Sequence, residues 1–162
     1  MKFAEFFEKM AAADVDYVLV GGLAVSLQGA VRGTLDVDIV LAMNDDNLGR
    51  FVSLARDNDL RPSLPVSLES LSDAAQLDMW HREKHMLAFS MREPAPAGLV
   101  VDVLIRPSVA FDELKAHASI RTLGQVPIPV ASVEHLINLK TGTGRAIDAL
   151  DIDQLRRLQA AN

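Results

Sequence analysis

The sequence predicts an α+β (α/β) domain: a mixed β-sheet flanked by helices. Three observations carry this. Segments with helical apolar spacing alternate with short β-branched runs, without the regular strand–helix–strand rhythm of a purely parallel sheet. The chain has 162 residues, enough for one domain, residues 1–162, with a sizeable core. Its residues are 49% hydrophobic and 23% charged, which suits a packed globule and not a disordered or fibrous chain.

The elements follow in order. Residues 2–12 place Phe3, Phe6, Phe7 and Met10 at helical spacing. Asp16 to Val20, DYVLV, is a short apolar run ending at Gly21-Gly22, and reads as a strand. Leu23 to Gln28 reads as a short helix stopped by Gly29. Leu35 to Ala42 reads as a buried strand, with Leu35, Val37, Ile39, Val40 and Leu41 as its apolar residues. Asn44 or Asp45 caps a helix to about Arg56, with Leu48, Phe51, Val52 and Ala55 on one face. Beyond Pro62 and Pro65 a helix is expected from about Leu68 to Leu77. Met86 to Met91 and Leu99 to Ile105 form a hairpin around EPAPAG, and Ala110 to Ala116 a short helix. Ile120 to Val130 holds one or two strands around Gly124. Ser132 opens a helix that TGTG, residues 141–144, breaks. A last helix runs from Ala146 to about Ala160, with Ile147, Leu150, Leu155 and Leu158 on its apolar side.

Composition excludes several classes. There is no Cys, hence no disulfide, thiolate nucleophile or Cys-based zinc site. A net charge of −6 gives no basic footprint for duplex DNA or an anionic membrane. It leaves room for a nucleotide or RNA, whose bound cations offset local charge. Glu5 and Glu8 interrupt the N-terminal stretch where a signal peptide needs an apolar core, and no apolar run approaches a membrane span. A soluble, cytoplasmic protein is expected.

Asp36 and Asp38 break the pattern of their strand. At i and i+2 they share one face, about 7 Å apart at Cα from a rise of roughly 3.3 Å per residue. Like charges so placed raise each other's pKa and weaken the strand. A divalent cation between them removes the conflict: Mg²⁺ takes one or two carboxylates together with substrate phosphates. A lone Asp-x-Asp is most often only a solvated strand face. Here Asp102, in LVVDVLI, is a third carboxylate inside an apolar strand, with Val101, Val103 and Ile105 on the opposite face. It suits a metal ligand or a general base. Gly21-Gly22, between a strand and a helix, lets backbone approach a phosphate.

Strand, Gly-Gly, short helix, loop, Asp-x-Asp strand and a later strand Asp: in this order the chain resembles the nucleotidyltransferase superfamily typified by DNA polymerase β and the kanamycin nucleotidyltransferases. VGGLAVSLQGAVRGTLDVDIVL and the closing INLKTGTGRAIDALDIDQL are most similar to small minimal nucleotidyltransferases related to AbiEii-type toxins. The resemblance covers most of the chain and is weakest over residues 59–95. It implies a nucleotidyltransferase-like mixed sheet and transfer of an NMP from an NTP, such as ATP, to a hydroxyl acceptor. It implies that Gly21 and Gly22 hold the triphosphate, that Asp36 and Asp38 bind Mg²⁺ or Mn²⁺, and that Asp102 helps bind metal and activates the acceptor. Lys140 matches the late basic residue near the phosphates and Asp148 its companion acid. Many active members carry Ser where this chain has Gly22.

Other polar residues add to the site or have plainer readings. Arg32 and Thr34 precede the Asp strand, where a guanidinium would reach phosphate. Lys140 and Arg145 flank TGTG as further anion-binding candidates. Asp148, Asp151 and Asp153 are candidates for a second acidic site; the plainer reading makes Asp151 and Asp153 a solvated face and Asp148 an i, i+3 partner of Arg145. His81 and His85 have the i, i+4 spacing of a zinc pair without the remaining ligands. The acceptor (tRNA, protein or small molecule) is open, as is a homodimer or a toxin–antitoxin partner. A non-catalytic nucleotide-binding or antitoxin-type module on the same fold, and a metal-dependent phosphohydrolase, are the alternatives.

Overall fold

The computed structural model describes residues 1–162. Helices and strands run α1 (Phe3–Ala12), β1 (Tyr17–Val20), α2 (Gly21–Leu27), β2 (Asp36–Leu41), α3 (Asp45–Asp57) and β3 (Arg61–Pro62). A 3₁₀ turn (Leu68–Ser72) leads to α4 (Ala74–Lys84), β4 (Ala88–Arg92), β5 (Val100–Leu104) and α5 (Phe111–Ala116). β6 (Ser119–Leu123), β7 (Val126–Val130), α6 (Val133–Lys140) and α7 (Ala146–Ala161) complete the chain. Seven strands form one mixed sheet in the order β3-β4-β5-β2-β1-β7-β6. No helix is long and apolar enough to cross a membrane.

Strand alternation builds the core. Phe89, Val103, Ile39 and Leu19 are successive cross-strand partners, and Val130 continues the row. All five are fully buried, and each such side chain contributes about 1.5–3 kcal/mol. The next row, Ser90, Asp102, Asp38 and Val20, points to the other face. β2, β4 and β5 thus turn Ile39, Phe89 and Val103 to the core and Asp38, Ser90 and Asp102 to one shared surface, while β1 is buried on both faces.

α3 begins where expected: Asn44 accepts the Asn47 N–H at 3.0 Å. Asn47 itself is fully buried. Its side chain accepts the Asp16 N–H and donates to the carbonyls of Asp16 and Ala42, tying α3 to the adjoining ends of β1 and β2.

Four expectations need correction. α2 starts at Gly21 and not at Leu23. The helix expected over Leu68–Leu77 is split, because Asp73 accepts the Gln76 N–H and restarts the chain as α4, which continues to Lys84. β2 starts at Asp36, so Leu35 lies outside it and is 87% exposed. α7 is turned about its axis: Ile147 and Leu150 are 40% and 58% exposed, while Asp148, Asp151 and Leu155 are buried. Ion pairs, described below, hold α7 in that rotation against its hydrophobic pattern.

Replacing Asn47 by Ala is expected to cost about 3 kcal/mol, because buried backbone groups lose their partners. Asn44→Ala removes one cap and should cost about 1 kcal/mol. Urea denaturation of the two variants measures the difference.

Candidate active site

β2 and β5 lie side by side and parallel, with Asp38 directly opposite Asp102 and Asp36 opposite Val100. The three carboxylates therefore share one face at the middle of the sheet. All are partly exposed, so that face is open to solvent. Their oxygens do not all lie within 4.8 Å of one another, a separation that repulsion between like charges favours. A surface concavity lined by Lys9, Asp46, Arg50 and Asn58 does not include them.

Burial, then the charges of Asp102 and Asp36, push the Asp38 carboxyl up to about 6, against the pull of Lys140 and Arg145. Burial also raises Asp102; a Ser90 hydrogen bond pulls it back and Asp36 adds to the rise. Ser90 faces Asp102 across the β4–β5 ladder. Three hard oxygen donors with this much unrelieved charge fit a divalent cation of the Mg²⁺ type.

Gly21 ends β1 and begins α2 with φ +71°. A Cβ there would overlap the Asp38 carboxylate. Both the left-handed backbone and the close approach demand glycine. A Cβ at Gly22 would lie 3.1 Å from Arg32 Nη2 and 3.3 Å from Thr34 Cβ. The Arg32 guanidinium thus covers the space that a side chain at position 22 would take. Its Nε is bound to Asp151 and its Nη1 to the Gly33 carbonyl, while Nη2 makes no hydrogen bond.

Solved structures share this architecture. The lincosamide antibiotic adenylyltransferase LnuA, lincomycin-bound, matches at a TM-score of 0.62 and 13% identity, over 95% of this chain and 94% of that one. The antibiotic-resistance factor ANT(2'')-Ia matches at 0.54 and 11%, over 98% and 89% of the two chains. An antigenic nucleotidyltransferase-like protein of Paracoccidioides brasiliensis matches at 0.55 and 18%, over 98% and 73%. The chain has the nucleotidyltransferase fold. No protein-family model and no curated protein matches the sequence.

On this nucleotidyltransferase fold the sequence's basic candidates converge beside the carboxylates, but mostly as partners of acids. Lys140 is buried and its Nζ lies 3.1 Å from Asp148 and 2.9 Å from Asp151. Asp151 also holds Arg32 at 3.0 Å. It is not the solvated residue expected, although Asp153 is. Arg145 reaches Asp148 at 2.7 Å, the i, i+3 pair foreseen, and Thr143 donates to the same carboxylate. Burial pushes the Asp148 carboxyl up, but hydrogen bonds from Thr143, Lys140 and Arg145 outweigh it and hold it below its ordinary range. His81 and His85 do not pair: His81 Nδ1 contacts the Met86 carbonyl, and His85 ends α4 in a left-handed conformation. Ser90 and Asp151 were missed in the sequence, the first because only register places it, the second because its partners lie far away in the chain.

Two outcomes follow for stability. Lys140→Met leaves two buried carboxylates short of a cation and should cost about 3–5 kcal/mol in urea denaturation. For Asp38, the folded state binds more protons than the unfolded one between pH 3.8 and about 6. Stability therefore falls as pH rises through that window. At about 1.4 kcal/mol per pH unit, Asp38 makes the metal-free protein about 3 kcal/mol less stable at neutral pH than near pH 4. Asp38→Asn should remove this slope between about pH 4 and 6.

Proposed function

We propose that this chain is a metal-dependent nucleotidyltransferase that moves an NMP from an NTP, ATP being the first to test, to a hydroxyl acceptor. The observation that carries the reading is the convergence of Asp36, Asp38 and Asp102 on one open face. Gly21 is held against Asp38 beside them. The acceptor oxygen forms a bond to the α-phosphorus, the bond to the bridging oxygen breaks, and pyrophosphate leaves.

Asp36, Asp38 and Asp102 would hold Mg²⁺ or Mn²⁺. When bound, the cation neutralises triphosphate charge and supports an in-line displacement. Asp102, with its raised pKa, would accept the proton of the attacking hydroxyl, since a base works best near the operating pH. The backbone of Gly21 and Gly22 would approach the phosphates. Arg32 Nη2, standing over Gly22, would supply the donor that Ser supplies in many related enzymes, with Thr34 beside it. Lys140 and Arg145 would add positive potential from positions fixed by Asp148 and Asp151. Activity of this kind would suit the cytoplasm, where NTPs are available.

The fold neighbours favour small-molecule acceptors over tRNA or protein. One is a lincosamide adenylyltransferase with lincomycin bound, and ANT(2'')-Ia has been solved with adenylyl-2''-tobramycin. Gly22 in place of Ser favours one second reading, a nucleotide-binding or antitoxin-type module without turnover.

Incubation with α-labelled NTPs, Mg²⁺ or Mn²⁺ and a panel of aminoglycosides, lincosamides, tRNA and protein tests the proposal. Label transfer with pyrophosphate release is expected, and a loss of at least about 10²-fold in Asp36→Asn or Asp38→Asn. Transfer that persists in those variants would remove their assigned role. NTP binding with no transfer to any acceptor would favour the module.

A further inference from the structure

Glu113, His117 and His135 form the one group of three His, Asp or Glu side chains whose ligand atoms all lie within 4.8 Å of one another. Glu113 and His117 stand four residues apart on α5 and at the residue that ends it, so they project from one helical face. His135 lies in the first turn of α6, where Ser132 accepts its N–H. Sequence reading passed over all three, because the pair and the third residue belong to different helices.

Glu113 Oε1 lies 3.5 Å from His117 Nδ1 and 3.6 Å from His135 Nε2. The two imidazoles meet edge to face, their centroids 5.3 Å apart. Such separations are too long for good hydrogen bonds. They are close to the roughly 3.4 Å edge of a tetrahedron whose donors stand about 2.0–2.1 Å from a zinc ion. The burial of His135 bears on the same site. His135 is buried, and its Nδ1 is the one buried side-chain polar atom in the chain with no hydrogen-bond partner. Neither ring nitrogen of His135 makes a hydrogen bond that offsets its burial. A cation on Nε2 would give the ring one strong partner, with Nδ1 left as a protonated N–H that has no acceptor among the side chains and backbone around it. His117 Nδ1 also lies 3.1 Å from the Glu113 carbonyl oxygen, a contact that ligation through Nδ1 would replace.

We propose that Glu113, His117 and His135 bind a divalent cation of the zinc class, clipping α5 to α6. The donor set decides the class. Two imidazoles and one carboxylate suit Zn²⁺ and its neighbours, whereas Mg²⁺ takes oxygen donors. Three protein donors leave a fourth position, and exposure of Glu113 (58%) and His117 (57%) side chains opens it to water. The site shares no residue with Asp36, Asp38 and Asp102. It is joined to them through α6, which carries His135 near its start and Lys140 at its end, about 7.5 Å further along the axis.

The test is titration of the metal-stripped full chain with Zn²⁺ in excess Mg²⁺, followed by calorimetry. Co²⁺ in place of Zn²⁺ reports nitrogen-containing tetrahedral coordination by its visible absorption. One Zn²⁺ per chain is expected, retained when Asp36→Asn and Asp38→Asn are combined. Binding should weaken at least about tenfold in His117→Ala and in Glu113→Gln, both exposed positions whose circular dichroism should match the parent. No stoichiometric Zn²⁺ binding, or binding lost with the aspartates and kept in His117→Ala, would overturn the proposal.

Discussion

The structure depends on one unfavourable contact: Asp38 faces Asp102 across two central parallel strands, with Asp36 two residues away on the same face. Register makes it unavoidable. The opposite face of the same strands is the fully buried row through Phe89, Val103, Ile39 and Leu19. A one-residue slip to separate the carboxylates would drive them into that core and expose the apolar row. Core packing therefore holds the acids together, and burial, with the charges of Asp102 and Asp36 added to it, raises the Asp38 carboxyl to about 6.

A second layer of charge is balanced where the first is not. Lys140, Arg145 and Arg32 are matched by Asp148 and Asp151. These pairs fix α6, α7 and the loop before β2 around the carboxylate face. They leave the Nη2 of Arg32 directed over Gly22 and without a partner. In the proposed enzyme this positions positive charge before substrate arrives, so little reorganisation is left for the reaction itself. The glycine at position 22 and the guanidinium above it are two parts of one arrangement.

Much of this was legible in the sequence. Alternation in LDVDIVL and LVVDVLI gave the strands and the shared face, because a period of two is hard to mistake when every second residue is apolar. Gly21 was legible as a turn, although its need for φ +71° and for an absent side chain came only with Asp38 above it. α7 was misread because hydrophobicity assigned Ile147 and Leu150 to the core. Ion pairs to Lys140 and Arg32 turned Asp148 and Asp151 inward instead, and long-range pairing leaves no periodic trace. The break at Asp73 was missed because a cap can interrupt an apolar pattern without changing it. Glu113, His117 and His135 illustrate the same limit: three residues on two helices acquire meaning only through tertiary contact.

The central claim is that Asp38 carries charge strain which a nucleotide-bound divalent cation relieves. Carbon-detected NMR titration of the Asp38 carboxyl tests it most directly, in the metal-free protein and with Mg²⁺ plus a non-hydrolysable NTP. The account predicts a midpoint near 6 without metal, moving below the ordinary carboxylate value of about 4 when both ligands are present. An ordinary midpoint in the metal-free protein, or a raised one that Mg²⁺ and nucleotide leave unmoved, would contradict it.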